Sequence, residues 1–426
     1  MNRARRKGAI QVLNELLSPV TASTFWSDYW ERQPLHVVRE LPVWCSELPS
    51  IDDLDAIISL IPPSGAEADV LRLVRALAGR VEDSSIARGP DGRPDVPAVY
   101  RAYAQGWTVV VNRLHLRSAP VARLAAAVAD ETGYGIGVNL YCSPARSRGF
   151  PAHADGHDAL LLQMDGRKTW QVYPPQYDLP LEDSDVEIKP TELGEPLLQA
   201  TLERGHLLYV PRGFIHAGAT ESELSMHLTL GIHPTRWLDL LLAALRVAAD
   251  HSLDFRRTIP AAELHNPATR AQIGIELERL FQSISGGDVA AHAVERVLSL
   301  PPHLTPQAFD RHFRAVERSG DVREATMIAR RPGLRTRVVR EENRACIVFG
   351  AHRLRAPLFV APALDFISSR SSFRVDELPE VLSGSSKITL IRRLIQEGLL
   401  TIAEDGDRTN HHFGAVREST DRPRQP

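Results

Sequence analysis

Apolar positions along the chain switch between helical and strand-like spacing, and the switches mark its organisation. Over residues 9–31, Ile10, Leu13, Leu16 and Leu17, then Phe25, Trp26, Tyr29 and Trp30, recur at helical spacing. Ser18-Pro19 breaks the first helix, and Thr21 or Ser23 is placed to cap the second. A short strand is expected at 34–38, helices near 51–61 and 66–80, and a loop at 89–94. A short helix over 97–106, a strand over 107–114 and a helix over 119–131 follow. From Gly137 the pattern shortens to strand-length runs at 137–142, 159–164, 169–173, 206–210, 215–219 and 225–232. The Asp165-Gly166 turn is expected to join two of them as a hairpin. Such runs predict a β-sandwich or barrel, of which the double-sheet jelly roll is one form. Helical spacing returns over 237–251, 271–284 and 288–298, and Pro301-Pro302 marks a boundary. The order helix 361–369, strand 372–375, helix 385–397, strand 399–403 is that of a small winged helix. Residues 405–426 are polar and aperiodic, as expected of a disordered tail.

Composition narrows the class. At 426 residues, two or three domains are expected. A formal net charge of −3 argues against a broad nucleic-acid footprint. Cys45, Cys142 and Cys346 are isolated thiols without a CxxC, which fits a reducing cytoplasm and offers no cysteine-based zinc site. The basic run Arg3, Arg5, Arg6, Lys7 is not followed by a signal-type apolar core, and the richest apolar run, 238–249, is broken by Arg246. A cytoplasmic protein without a membrane span is expected. Only four lysines (Lys7, Lys168, Lys189, Lys387) stand among 50 Lys plus Arg, so each has resisted a drift toward arginine.

The most informative chemistry is His153-Ala-Asp155 with His216 later in the chain. Side chains at i and i+2 of a strand share a face, and a third ligand from a distant strand closes one face of an octahedron. Two imidazoles and one carboxylate with open positions point to non-haem Fe(II) and O₂ chemistry. Alone, H-x-D is a weak signal in a chain with 16 histidines. Asn139 and Tyr141 alternate on one strand and share a face, as do His227 and Thr229 on another. Gly133, Gly135 and Gly137 lead into a strand rather than a helix, so phosphate binding is not expected there.

The surroundings carry a resemblance. The run from Asn139 through Tyr141 to Pro144, Phe150 through His153 to Asp155, and Leu161 through Gly166, Lys168 and Trp170 to Tyr173 resemble the cupin core of JmjC-type protein hydroxylases, ribosomal oxygenases in particular. So do Gly205 through Tyr209, Pro211 and Gly213 to His216, the segment Ser225, His227, Thr229, and the opening Phe25-Trp26 and Tyr29 to Leu35. The likeness covers roughly residues 10–235 well and the remainder more loosely. It implies a mainly β catalytic core, a double-stranded β-helix with α-helical N-terminal decoration. A helical dimerisation region and an α+β winged helix would follow. The boundaries expected are 1–235 for the catalytic domain, 236–302 for the helical region, 303–405 for the winged-helix domain and 406–426 for the tail.

It further implies Fe(II) held by His153, Asp155 and His216, with 2-oxoglutarate as cosubstrate and O₂ as oxidant. Lys168 would pair with the distal carboxylate of 2-oxoglutarate, a bond worth roughly 1.5–3 kcal/mol. Asn139, Tyr141 and Thr229 would line the cosubstrate or substrate side. Gly231 stands where relatives often carry serine, which removes a hydroxyl donor. His157 is expected at the substrate mouth and His227 behind the site. The implied activity is hydroxylation of an amino-acid side chain, arginine or histidine, in a ribosomal protein or a natural-product peptide, by a homodimer. The contrasting class is a regulatory cupin that holds metal structurally and docks a partner or nucleic acid through its winged helix. Against nucleic acid, Asp376, Glu377, Glu380, Glu397, Glu404 and Asp405 surround the helix bearing Lys387, Arg392 and Arg393.

Overall fold

The computed structural model describes residues 12–403 except 64–68, 78–79, 85, 87, 183, 185–187, 260–264, 285–286, 300–311, 332–333, 335 and 351. The basic N-terminal run, Pro301-Pro302 and the tail at 406–426 lie outside the described residues. The N-terminal helices form where the apolar spacing places them, at Val12–Leu17 and Ala22–Thr24, and Thr21 caps the second by accepting from the Thr24 amide.

Among the described residues, eleven strands build the N-terminal half: β1 (Leu35–Val37), β2 (Leu71–Leu77), β3 (Arg80–Ser84), β4 (Thr108–Val111), β5 (Gly135–Ser143), β6 (Asp158–Gly166), β7 (Lys168–Tyr173), β8 (Leu198–Leu202), β9 (Leu207–Val210), β10 (Ile215–Ala219) and β11 (Ser225–His233). They form two antiparallel sheets. Eight strands run in the order β1-β9-β6-β11-β5-β4-β2-β3, and three more run β10-β7-β8. The larger sheet is covered on both faces, which explains why β6 is an unbroken apolar run, Ala159 to Leu162, rather than an alternating one. Its outer face, including Val138, Leu140, Cys142, Leu228 and Leu230, packs on Val12–Leu17 and Ala119–Thr132. On its inner face, Ala159 and Leu161 meet Trp170 and Val172 of the smaller sheet.

Three expectations are corrected. Where a helix was expected at 66–80, the described residues instead form β2 and the start of β3, paired antiparallel from Leu73↔Ser84 to Leu77↔Arg80. Its Leu71, Leu73 and Val74 pack into the core cut by the sheet, and tertiary pairing overrides local helical spacing. The Asp165-Gly166 turn does not close a hairpin. It carries the chain from β6 in one sheet to β7 in the other, so the two strands never pair. Gly166 is required there: its φ is +59° and a Cβ would lie 1.9 Å from the Leu224 carbonyl oxygen. Strand β8, between turns, was not anticipated.

Helices Trp237–His251, Pro267–Ser283 and Gly287–Ser299 follow the barrel. Beyond them lie β12 (Met327–Arg330), an antiparallel meander of β13 (Thr336–Glu341), β14 (Arg344–Phe349) and β15 (His352–Pro357), then β16 (Ser372–Arg374) and β17 (Leu400–Ile402). Strands β16-β12-β17 form one small sheet beside helices Ala361–Ser369 and Gly384–Gln396. This part has its own core, including Ile328, Phe349, Leu364, Phe373 and Ile391. The meander is an addition that the sequence pattern did not suggest.

Candidate metal centre and cosubstrate cavity

The two sheets splay around a cavity of about 470 Å³. Strand parity decides what faces it. Asn139 and Tyr141 of β5, His227, Thr229 and Gly231 of β11, and Leu161 of β6 point inward, in register as Tyr141↔His227 and Asn139↔Thr229. Lys168 and Trp170 of β7 and His216 and Gly218 of β10 close the opposite wall.

His153, Asp155 and His216 converge, with one ligand atom from each lying within 4.8 Å of the others. Among the described residues, no other three His, Cys, Asp or Glu side chains do so. The expected support is corrected, however. His153 and Asp155 are not on a regular strand but in a loop with a single bridge, His153↔His216. That bridge exchanges both backbone bonds, at 3.1 and 2.8 Å, and the Gly213 amide donates to the Asp155 carbonyl at 2.9 Å. Each histidine sets its Nδ1 against the carbonyl two residues earlier, Pro151 for His153 and Phe214 for His216. Those bonds orient both rings with Nε2 free for a metal. Burial, then the neighbouring His153, pulls His216 down to about 4, so it is a neutral imidazole and its 3.7 Å approach to Asp155 is not an ion pair. Burial acts to raise the Asp155 carboxyl, but His216, His153 and His157 together hold it below its ordinary value. A neutral His216 imidazole and an ionised carboxylate, with a second histidine beside them, suit Fe(II).

The other end of the cavity is built around Lys168. It is 5% exposed, and its Nζ lies 3.4 Å from Ser143 Oγ and 4.9 Å from the Trp170 ring centre. Among the described residues no carboxylate pairs with it, and burial brings its ammonium down to about 8. Trp170 Nε1 and His227 Nδ1 are buried without a hydrogen-bond partner. Burial, with the Lys168 charge second, holds His227 well below its ordinary value, and its ring stacks on Tyr141 at 5.0 Å. A cation and two orphaned donors or acceptors in one cavity fit a small polar anion. Asn139 is partly committed, accepting from the Arg113 amide at 2.9 Å. Burial, then the Asp155 charge, raises the Tyr141 hydroxyl to about 12, so it stays protonated. His157 sits at the cavity edge beside His233, their rings 5.0 Å apart, and both flank Gly231.

Sequence reasoning missed two residues here. Ser143 shares the parity of Asn139 and Tyr141 and bonds Thr108 at 3.0 Å as well as Lys168. Gly218 shares the parity of His216; a Cβ there would sit 2.8 Å from Lys168 Cε and 2.9 Å from the Trp170 ring. Parity was available as a signal for both. That Lys168 needs a glycine opposite was not.

Comparison with known proteins agrees with this geometry. The JmjC domain family matches residues 113–240. The bifunctional lysine-specific demethylase and histidyl-hydroxylase NO66 of Drosophila mojavensis is 31% identical over 259 residues, 59% of this chain and 28% of that protein. Ribosomal oxygenase 1 of Homo sapiens is 32% identical over 266 residues, 60% of this chain and 40% of that protein. The chain thus spans less than half the length of these curated relatives. Among solved structures, Escherichia coli ribosomal oxygenase YcfD matches with a TM-score of 0.55 at 19% identity, covering 90% of this chain and 98% of that one. The same protein in complex with cobalt and 2-oxoglutarate matches at 0.54 and 17%, with the same coverage. Residues 113–240 of this chain thus match the JmjC domain family, and they are carried on a fold shared with Escherichia coli YcfD.

Proposed function

We propose that the chain is an Fe(II)- and 2-oxoglutarate-dependent oxygenase that hydroxylates an amino-acid side chain, arginine or histidine, in a ribosomal protein or a natural-product peptide. One observation carries this reading: an open His153–Asp155–His216 face shares its cavity with a buried lysine that no carboxylate of the described residues neutralises. His153, Asp155 and His216 would hold the iron. Lys168, with Asn139, Thr229 and Tyr141, would hold the keto acid. Bound iron and 2-oxoglutarate would supply the oxidising power: R–H, 2-oxoglutarate and O₂ become R–OH, succinate and CO₂. The chain's own part is to keep the His216 imidazole neutral, present the Lys168 ammonium to an anion, and exclude bulk water with Leu161 and Trp170. The names of the relatives, and cobalt and 2-oxoglutarate on the YcfD fold, support the same reading. So does the polar rim, where Asp69, Arg72, Arg113 and His157 line the cavity mouth, as a polar substrate side chain requires.

The rest of the chain is read with it. Trp237 (82% exposed), Leu241, Leu242 and Phe281 present apolar surface, which supports a homodimer through the helices after the barrel. Sedimentation at the monomer mass would refute that. Residues 312–403 are read as a winged-helix docking unit rather than a nucleic-acid reader. No helix of the described residues is long and apolar enough to cross a membrane, and the three cysteines are buried and unpaired, which supports the expected cytoplasmic location. The direct test of the enzyme is succinate formation by the purified chain with Fe(II), 2-oxoglutarate and O₂. Slow uncoupled turnover without substrate is expected. Neither succinate nor metal-dependent 2-oxoglutarate binding is the result expected of a purely regulatory cupin.

A further inference from the structure

A ring of mostly buried polar groups, left open between Arg212 Nε and Asp158 Oδ2, neither of which has a hydrogen-bond partner among the described residues, belongs to none of the roles above. Asp158, the first residue of β6, is fully buried and accepts from the Tyr209 hydroxyl at 2.6 Å. That hydroxyl in turn accepts from the Glu31 amide at 3.0 Å. The Glu31 carboxylate takes the Arg212 guanidinium at 2.6 Å, and Arg212 Nε faces Asp158 at 4.0 Å. Glu31 adopts φ +56°, a left-handed conformation that a glutamate seldom takes, so this backbone is held by its partners. Phe25 and Trp30 pack on the Tyr209 ring from the N-terminal segment.

The position of the ring matters more than its existence. Asp158 follows Asp155 by three residues, and Arg212 precedes both Gly213, whose amide holds the Asp155 carbonyl, and His216. The Asp155 loop has no strand ladder of its own. It is tied to β10 and the turn before it by the His153↔His216 bridge and the Gly213 bond, and the ring stands at both ends of that connection. We propose that Arg212 and Glu31 are positioning residues for the metal centre: with Asp158 and Tyr209 they fix the Asp155 loop against the approach to His216, so the N-terminal segment sets the ligand spacing. This rests on the metal reading of the triad. Outer partners of metal ligands change affinity without touching the metal.

The test is an anaerobic Co(II) titration of the full chain, read by visible absorption, beside thermal melting. Arg212→Met is expected to weaken Co(II) roughly 10- to 100-fold. Glu31→Gln, which keeps shape and loses charge, is expected to weaken it by a smaller factor, and it decides alone if Arg212→Met does not fold. Leu13→Ala, in the N-terminal core and away from the triad, should lower the melting temperature and leave Co(II) affinity at the parent value. Parent-like affinity in the folded ring variants overturns the proposal. So does a Leu13→Ala loss in proportion to its melting temperature, which would make the ring merely structural. A parent chain that binds no Co(II) instead sinks the metal reading itself, and the proposal with it.

Discussion

Two of the three lysines among the described residues are buried, and their surroundings differ. Lys387, on helix Gly384–Gln396, is 4% exposed and donates to the Glu380 carboxylate at 2.7 Å and the Asp376 carbonyl at 3.4 Å. Glu380 itself reaches solvent, its side chain 91% exposed. Lys168 is as deeply buried, yet among the described residues it meets only a serine hydroxyl at 3.4 Å and an aromatic face. A buried ammonium satisfied by its own chain is part of the architecture. One left facing a cavity is disposed toward an anion from outside. The comparison also removes the cationic face expected of a recognition helix. Lys387 points inward, Arg392 donates to the Gly320 carbonyl, and Arg393 pairs with Glu397.

The strongest way to break the contrast is to remove the metal face. Asp155→Ala should reduce succinate formation to the enzyme-free level while the melting temperature stays close to the parent's. Lys168→Met comes next: losing a charge-assisted bond of roughly 1.5–3 kcal/mol raises KM for 2-oxoglutarate about 10- to 150-fold. Its melting temperature should hold or rise, because a desolvated charge has gone. An unchanged KM would mean that the two lysines do the same job.

A pH series sharpens the same point. Lys168 is charged below about 8, so 2-oxoglutarate affinity should be flat up to that pH and fall about tenfold per unit above it. Lys168→Arg, if it binds at all, should lose that fall. Stability runs the other way. The folded value lies below the unfolded one of 10.5, so the unfolded chain holds the extra proton between about 8 and 10.5, and the fold gains stability as pH rises through that window. Thermal melts across it give the sign. The smallest effect is expected of Lys387→Met: about 1 kcal/mol of stability by chemical denaturation, with KM for 2-oxoglutarate unmoved.

Much of the site was legible because strand parity is local. Alternation alone placed Asn139 with Tyr141 and His227 with Thr229, and the same rule, carried further, reaches Ser143 and Gly218. The triad was legible as a set of residues but not as a geometry. Its i, i+2 pair works from a loop, held by backbone bonds to His216 and Gly213 that no spacing encodes. The stretch at 66–80 misled because helical spacing and a twice-covered strand give similar apolar runs, and only β4 on one side and β3 on the other settle it.

The amino-acid order by itself determined which side chains are chemically able to form the site, and which face of each strand they share, since both follow from residue type and a two-residue repeat. Tertiary structure alone decided that β6 and β7 part into different sheets, that no carboxylate of the described residues reaches Lys168 while Lys387 is given one, and that Glu31 reaches Arg212. Those are contacts between residues far apart in the chain. They depend on how the sheets close, and no local pattern carries that information.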